Sequence, residues 1–334
     1  MKIKKRYLLP ALVTVGLLAG PKAKFPAFDG HLPKLDIPLE QLENYVRQND
    51  AGVEQLKPGN ESRIVWADSL RKTPFSVVYL HGWSASPEEG DPIHRDFAKR
   101  YGCNLYLPRL PGHGIDSKES FADLTPGELV VAAKKALAIG QLLGHRVILM
   151  SCSTGGTLSI YLAAENPDAV FAQILYSPNI DLYDGMSELL TLPWGAQLAD
   201  LVNGKYHSFN PPPEGYKSWT TTYRTKGLVC LKSLIESTMR PAVWQKIEQP
   251  LLMGYFYKNE EEQDMVVSVN EMKRFFDSTS TPNELKVAVP FPNAGHHVVV
   301  SRINSKDLES VRRETYHFAE QVLGMRLAPL GNAE

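Results

Sequence analysis

The sequence predicts an α/β fold built on a mostly parallel sheet and carrying a helical insertion. Three observations support this. Short apolar segments such as "FSVVYLHG", "NLYLP", "RVILMS", "AQILYSP", "PLLMGYF" and "LKVAVPF" alternate with stretches of helical spacing, the rhythm of βαβ units joined by right-handed crossovers. The strand "FSVVYLHG" is almost wholly apolar, as a strand buried on both faces should be. Between Pro178 and about Pro250 the alternation breaks into aromatic- and proline-rich sequence ("TLPWGAQLADL", "NPPPEGYKSWTTTY"), with helical pieces such as "GLVCLKSLIESTM", which reads as an insertion lying over the sheet.

In chain order, "MKIKKRYLLPALVTVGLLAG" places Lys2, Lys4, Lys5 and Arg6 before an apolar run from Tyr7 to Gly20. This is the layout of an export signal, and it falls short of the ~20 residues of a membrane span. It lacks a clear A-x-A cleavage site, and no cysteine follows "LLAG" to take a lipid. The expectation is therefore an exported protein, periplasmic or membrane-associated, with this segment a tether where it is retained. "FPAFDGHLPKLDIP" reads as an extended linker, and Leu39, Leu42 and Val46 give a short packing helix. Strands "SRIVWADS" and "FSVVYLHG" flank the turn "LRKTP". There follow a helix around "IHRDFAKRYG", a strand "NLYLP", the helix "PGELVVAAKKALAIGQLLG", "RVILMS", the helix "GTLSIYLAAENP" and "AQILYSP". After the insertion come "PLLMGYF", a helix around "VNEMKRFFD", "LKVAVPF" and a last helix "DLESVRRETYHFAEQVLG". The expected organisation is a signal or anchor over 1–22, linker and packing helix over 23–58, a core over 59–178 and 250–325, a cap over 179–249 and a tail over 326–334.

Among 334 residues, 36 Lys and Arg nearly balance 37 Asp and Glu, so a nucleic-acid groove has no electrostatic footprint and no nucleic-acid partner is expected. Cys103, Cys152 and Cys230 lie far apart without CxxC spacing, which argues against a zinc site or a disulfide framework and leaves room for one pairing in an oxidising compartment.

"VILMSCSTGG" offers Ser151, Cys152 and Ser153 as nucleophiles. A side chain that attacks from the carboxyl end of a strand must sit on a turn so tight that its neighbours two residues away are small. Only Ser153, between Ser151 and Gly155, satisfies that; Cys152 is expected to be a packed bystander. The Thr154 N–H, at the start of the following helix, is placed to donate to an oxyanion. A serine needs a base and an orienting acid. Among nine histidines, His296 in "NAGHHVVV" is the first choice because it directly follows a glycine, with His297 as competitor. In "YKNEEEQDMVVS", Asp264 precedes an apolar "MVV" that should hold it inward; Glu262 is the reserve, and the glutamates read as a solvated charge run. A second oxyanion donor is expected from the Trp83 N–H after "LHG". His81 and His113 read as structural, with His113 also placed to rim a pocket.

The order strand-"HGW", "LPGHG", "SxSxG", acid, "AGH" resembles the α/β-hydrolase superfamily, and "RLPGHG" resembles its monoacylglycerol lipase, carboxylesterase and serine aminopeptidase branch. The resemblance covers residues 60 to 325. It implies an eight-stranded, mostly parallel sheet with helices on both faces, a cap after the sixth strand, a triad of Ser153, Asp264 and His296, and oxyanion donors Trp83 and Thr154. Ser151 departs from the usual first glycine of the elbow, and the acid loop "KNEEEQ" is long.

The resulting expectation is a serine hydrolase that cleaves a small-molecule carboxylic ester through an acyl-serine, with no metal or cofactor. Trp194, Tyr216, Trp219 and Tyr223 could line an acyl pocket or form the cap's own small core. The alternatives are an amidase or aminopeptidase with the same triad, for which Glu214 and Glu236 are the cap acids to examine, and a non-catalytic binding protein of this fold.

Overall fold

The structure, a computed structural model, describes residues 19–329. The basic and apolar residues of the expected export signal, up to Leu18, and the end of the tail lie outside the described residues. Among the described residues no helix is long and apolar enough to cross a membrane.

The expected linker runs extended across the surface and is packed down: Phe28, Leu32, Leu35 and Ile37 lie on one face of the core, and the Asp29 carbonyl accepts Lys134 Nζ at 2.8 Å. It leads into helix α1 (Leu39–Asp50), which buries Leu42 and Val46. The main sheet contains β1 (Arg63–Val65), β2 (Thr73–Leu80), β3 (Asn104–Leu107), β4 (Gly144–Cys152), β5 (Ala172–Tyr176), β8 (Leu251–Tyr255) and β9 (Lys286–Pro290), in the spatial order β1-β3-β2-β4-β5-β8-β9. Only the β1–β3 pair is antiparallel.

Seven strands therefore replace the expected eight among the described residues. Ahead of β1 the chain turns at Gly52 and Gly59, both at positive φ, and makes a single bridge from Leu56 to Ile115. No further strand pairs with β1, so the insertion follows the fifth strand of the sheet and not the sixth.

Side-chain alternation along β4 builds two faces. Ile148, Met150 and Cys152 join Val77, Tyr79, Ile174 and Tyr176 on one side. There they meet Phe97 and Tyr101 of α2 (Ile93–Tyr101) and Val311 and Phe318 of α9 (Leu308–Gln321). Val147 and Leu149 join Val78 and Leu80 on the other, under α3 (Pro126–Leu143) and α4 (Thr154–Glu165). Each such fully buried aliphatic side chain contributes about 1.5–3 kcal/mol. The start of α3 is fixed by a capping box in which the Thr125 hydroxyl accepts the Glu128 N–H and the Glu128 carboxylate accepts the Thr125 N–H.

Between β5 and β8 the chain forms α5 (Gly195–Asn203), a two-stranded ribbon of β6 (Tyr206–Ser208) and β7 (Thr222–Arg224), α6 (Lys226–Thr238) and the short α7 (Pro241–Trp244). Its base is tied down by Lys232 of α6, a buried cation that bonds Asp181 at 2.7 Å and also pairs with Glu188. Helix α8 (Val269–Ser278) packs Met272 and Phe275 against the β5–β8 face.

Candidate active site

Strand β4 ends at Cys152 and α4 begins at Thr154, leaving Ser153 alone to turn the chain. It does so at φ 52°, ψ −119°, a conformation that L-residues rarely adopt and that persists only where the surroundings impose it. They do so here: the Ser153 N–H donates to Tyr176 O at 3.0 Å, and its carbonyl accepts the N–H groups of Gly156 at 2.8 Å and Asn179 at 3.0 Å. The turn brings α4 hard against the end of β2. A Cβ on Gly155 would collide with the carbonyl of Leu80, which is why that position has no side chain. Among the three consecutive candidates, only Ser153 leaves the strand. Ser151 and Cys152 remain in β4 and fully buried, and burial, with the Glu89 charge, pushes the Cys152 thiol well above its usual range.

The histidine that meets Asp264 is His297, not the expected His296. His297 Nδ1 lies 2.6 Å from Asp264 Oδ2, and its Nε2 is buried with no partner among the described residues. His296, one position earlier, is exposed, and its Nδ1 accepts the N–H of Val298 at 2.9 Å. Gly295 does supply the turn, at φ 65°, but the turn spends itself on His296 and delivers the next residue inward. The loop is pinned by Ser177, whose hydroxyl donates to the His297 carbonyl at 2.7 Å. Since Ser153 hangs from Tyr176 and His297 from Ser177, nucleophile turn and histidine loop share one anchor at the end of β5.

Asp264 is the acid of the loop after β8. It is 1% exposed; Oδ1 accepts the N–H groups of Val266 at 2.9 Å and Val267 at 3.1 Å, while Oδ2 takes the imidazole. Burial alone would raise its pKa, yet the His297 charge and these hydrogen bonds hold it below the usual aspartate value. Burial likewise opposes the charged form of His297, and Asp264, aided by Glu89, more than offsets it, so its pKa is raised. Glu262 is exposed and pairs with Lys258 at 2.7 Å.

Opposite the elbow, Gly82 and Trp83 follow β2. His81, wholly buried, donates from Nδ1 to the Gly82 carbonyl at 3.0 Å and accepts the Leu110 N–H on Nε2 at 3.0 Å. Burial drives it down to about 4, so it is a neutral brace for this loop and not a base. His113, also fully buried, bonds the Pro111 carbonyl at 2.8 Å and sits edge-on to the Trp83 ring at 5.3 Å. The N–H of Thr154, like that of any residue in the first turn, has no intrahelical acceptor, and it stands at the positive end of α4.

The cap aromatics divide. Tyr223 faces Trp83 and Phe121, with centroids 6.3 and 5.1 Å away. Trp219 is buried beside Thr220, whose N–H reaches the Ser84 carbonyl at 2.7 Å. Trp194, part-exposed at the start of α5, donates its backbone N–H to Pro21 O at 2.9 Å, and its indole lies against Gly20. Tyr216 is exposed and bonds Asn210. The three cysteines are free and buried, so the one disulfide left open by the sequence does not form. An open recess of about 940 Å³ lined by His145, Arg146, Asp168 and Pro250 sits at the amino ends of β4 and β8, away from the carboxyl edge where sheets of this kind carry their chemistry.

Two residues of the site escaped sequence reasoning, Ser177 and the buried carboxylate Glu89. The first had no motif. The second sits in "SPEEGD" beside the exposed-looking Glu88, six residues past "HGW", and only that proximity could have drawn attention to it.

Ninety-five residues of the chain are 30% identical to a thermostable monoacylglycerol lipase from Bacillus sp. (strain H-257), over 28% of this chain and 37% of that protein. Among solved structures, a chain described under LipS and LipT, two metagenome-derived lipolytic enzymes, superposes with a TM-score of 0.65 at 16% identity, covering 79% of this chain and 98% of that one. The monoacylglycerol lipase of Paleococcus ferrophilus gives 0.56 at 14% identity, covering 77% and 96%. These structural likenesses show the fold. The profile of the alpha/beta hydrolase family matches residues 77–302, and with that match the chain belongs to the alpha/beta hydrolase family.

Proposed function

We propose that the protein is a serine hydrolase of small carboxylic esters, acting through an acyl-serine. The observation that carries this reading is the Asp264–His297 pair at 2.6 Å, hung from the same strand end as the strained Ser153 turn. Ser153 Oγ attacks the ester carbonyl while His297 Nε2 takes its proton; the Trp83 and Thr154 N–H groups receive the oxyanion. The imidazolium returns its proton to the leaving alcohol. Water, deprotonated in turn by His297, then releases the acid and restores the serine. Asp264 holds the proton of His297 on Nδ1 so that Nε2 is the basic atom.

Lipolytic names among the relatives favour an ester over an amide. So does the cap, where Glu214 pairs with Arg302 at 2.9 Å, and Glu236 accepts from Thr191 at 2.8 Å and lies 3.9 Å from Lys232. The two insertion acids singled out from the sequence are thus already paired. Residues 179–249 act as the cap in this reading, Tyr223, Trp219 and His113 lining its inner side, and the N-terminal basic and apolar segment exports or tethers the protein.

A fluorophosphonate probe should label the wild type and not Ser153→Ala. A chain-length series of p-nitrophenyl esters should be turned over much faster than aminoacyl anilides. Ester hydrolysis that survives Ser153→Ala sinks the serine mechanism, and faster anilide cleavage turns the reading to an aminopeptidase.

A further inference from the structure

Glu89, in the 3-10 turn Pro87–Gly90, is 1% exposed and takes no part in the steps above. Its Oε2 accepts the Gly82 N–H at 2.8 Å and the Tyr79 hydroxyl at 3.1 Å. Its Oε1 lies over the Cα of Gly82. A methyl group built on that glycine would stand 2.8 Å from Glu89 Oε1 and 3.0 Å from Ser153 Cβ, so carboxylate and nucleophile face one another across a gap that only glycine leaves. The neighbouring Glu88 engages Arg63 and Arg95. Glu89 instead bonds Tyr79 of β2, and its charge acts on Cys152 of β4 and on His297 of the loop after β9. From α2, His94 sits edge-on to Tyr79 and bonds the Pro87 carbonyl at 2.9 Å; burial lowers it to about 3, so it is neutral.

A buried carboxylate without a fixed cation is costly. The cation within its field is the imidazolium of His297, which above the pKa of that histidine forms when it takes the serine's proton. We propose that Glu89 is a positioning residue of this site: through the Gly82 N–H it fixes the turn that presents Trp83, and as a second carboxylate behind the nucleophile it stabilises the imidazolium of His297. It exchanges no proton with the substrate. Burial lifts Glu89 to about 7, against the lowering effect of its hydrogen bonds and of His297, while Glu89 raises His297. The inference rests on the serine-hydrolase reading.

Glu89→Gln keeps an oxygen for the Gly82 N–H and removes the charge; Glu89→Ala removes both. With a p-nitrophenyl ester, Glu89→Gln should lower kcat by on the order of 10-fold, part of the 10²–10³ that losing a direct oxyanion donor costs, with KM within about twofold. Its acidic limb of kcat/KM should move to lower pH, because His297 has lost a neighbouring negative charge. Glu89→Ala should fall further. Should Glu89→Gln not fold, Tyr79→Phe withdraws a donor from the carboxylate and should move the limb the same way by less. An unchanged limb and kcat in Glu89→Gln, or in Tyr79→Phe where that is the variant measured, overturn the proposal. So does a loss of activity no larger than the loss of folded protein. Turnover abolished by Ser153→Ala but untouched by Glu89→Gln removes Glu89 alone, whereas turnover surviving Ser153→Ala removes the underlying reading.

Discussion

His297 Nδ1 stands 2.6 Å from Asp264 Oδ2, while His296, its immediate neighbour, turns its own Nδ1 to the Val298 N–H at 2.9 Å. Adjacent histidines thus hold opposite assignments. His297→Ala should lower kcat by roughly 10⁴-fold or more, as loss of a triad base does. His296→Ala should stay within about threefold of wild type, because the ring serves only its own turn. Steady-state kinetics on a p-nitrophenyl ester with both purified variants separates the two.

The raised pKa of His297 sets the acidic side of the pH profile. The base form appears only above that value, so kcat/KM should rise with a midpoint above 6.5. Asp264→Asn should bring the midpoint below 6.5, since burial then acts on the imidazole without its partner, and should cost about 10⁴-fold in kcat. Stability follows the same linkage. The His297 contribution is fully present below 6.5 and lost as pH rises through its raised folded value. The Asp264 contribution is present above 3.8 and lost as pH falls through its depressed one. Melting temperatures across pH should show the wild type's advantage over Asp264→Asn greatest between those limits.

Gly155 is the tightest point of the elbow, with the Leu80 carbonyl where a Cβ would stand. Backbone cannot yield as a flexible side chain can. Gly155→Ala should cost about 3 kcal/mol or more, measured by urea unfolding of whatever soluble protein is recovered, and should abolish fluorophosphonate labelling.

Lys232 is buried while Asp181, Glu188 and Glu236 are partly exposed. Lys232→Met fills the space and leaves carboxylates that water can still reach. The expected loss is about 2 kcal/mol, well short of that for a fully buried pair. Cleavage within residues 179–249 during limited proteolysis should increase together with that loss.

Cys103 and Cys230 are pushed up to about 12 by burial, and burial also holds the Cys152 thiol well above its usual range. The native protein should not react with a thiol reagent, and three thiols per chain should appear on unfolding in denaturant.

The sheet was legible because its signal is local: an apolar strand such as Val147–Cys152 and the helix after it announce themselves by periodicity alone. Ser153 was legible for a related reason, since a tight turn writes its steric demand into the positions two residues either side. His296 and His297 differ by one residue on a loop, and which of them points inward depends on a hydrogen bond to Val298 that no spacing reports. Asp264 could be separated from its neighbouring glutamates because "MVV" marks where the loop turns into the core. Glu89 and Ser177 act through tertiary contacts with Gly82 and His297, and a contact between distant segments leaves no trace in either. The seven strands read from the sequence all form; the eighth was implied only by the family resemblance, and among the described residues the stretch before Arg63 turns at Gly52 and Gly59 and adds none.

Trp194 opens α5 and at the same time holds Pro21 and Gly20, so the insertion between β5 and β8 and the segment at residues 20–21 are joined through one residue. Swinging α5 outward either drags that segment along or breaks the bond at Pro21. Whatever displaces residues 20 and 21 therefore acts on the insertion as well as on the core that the linker covers.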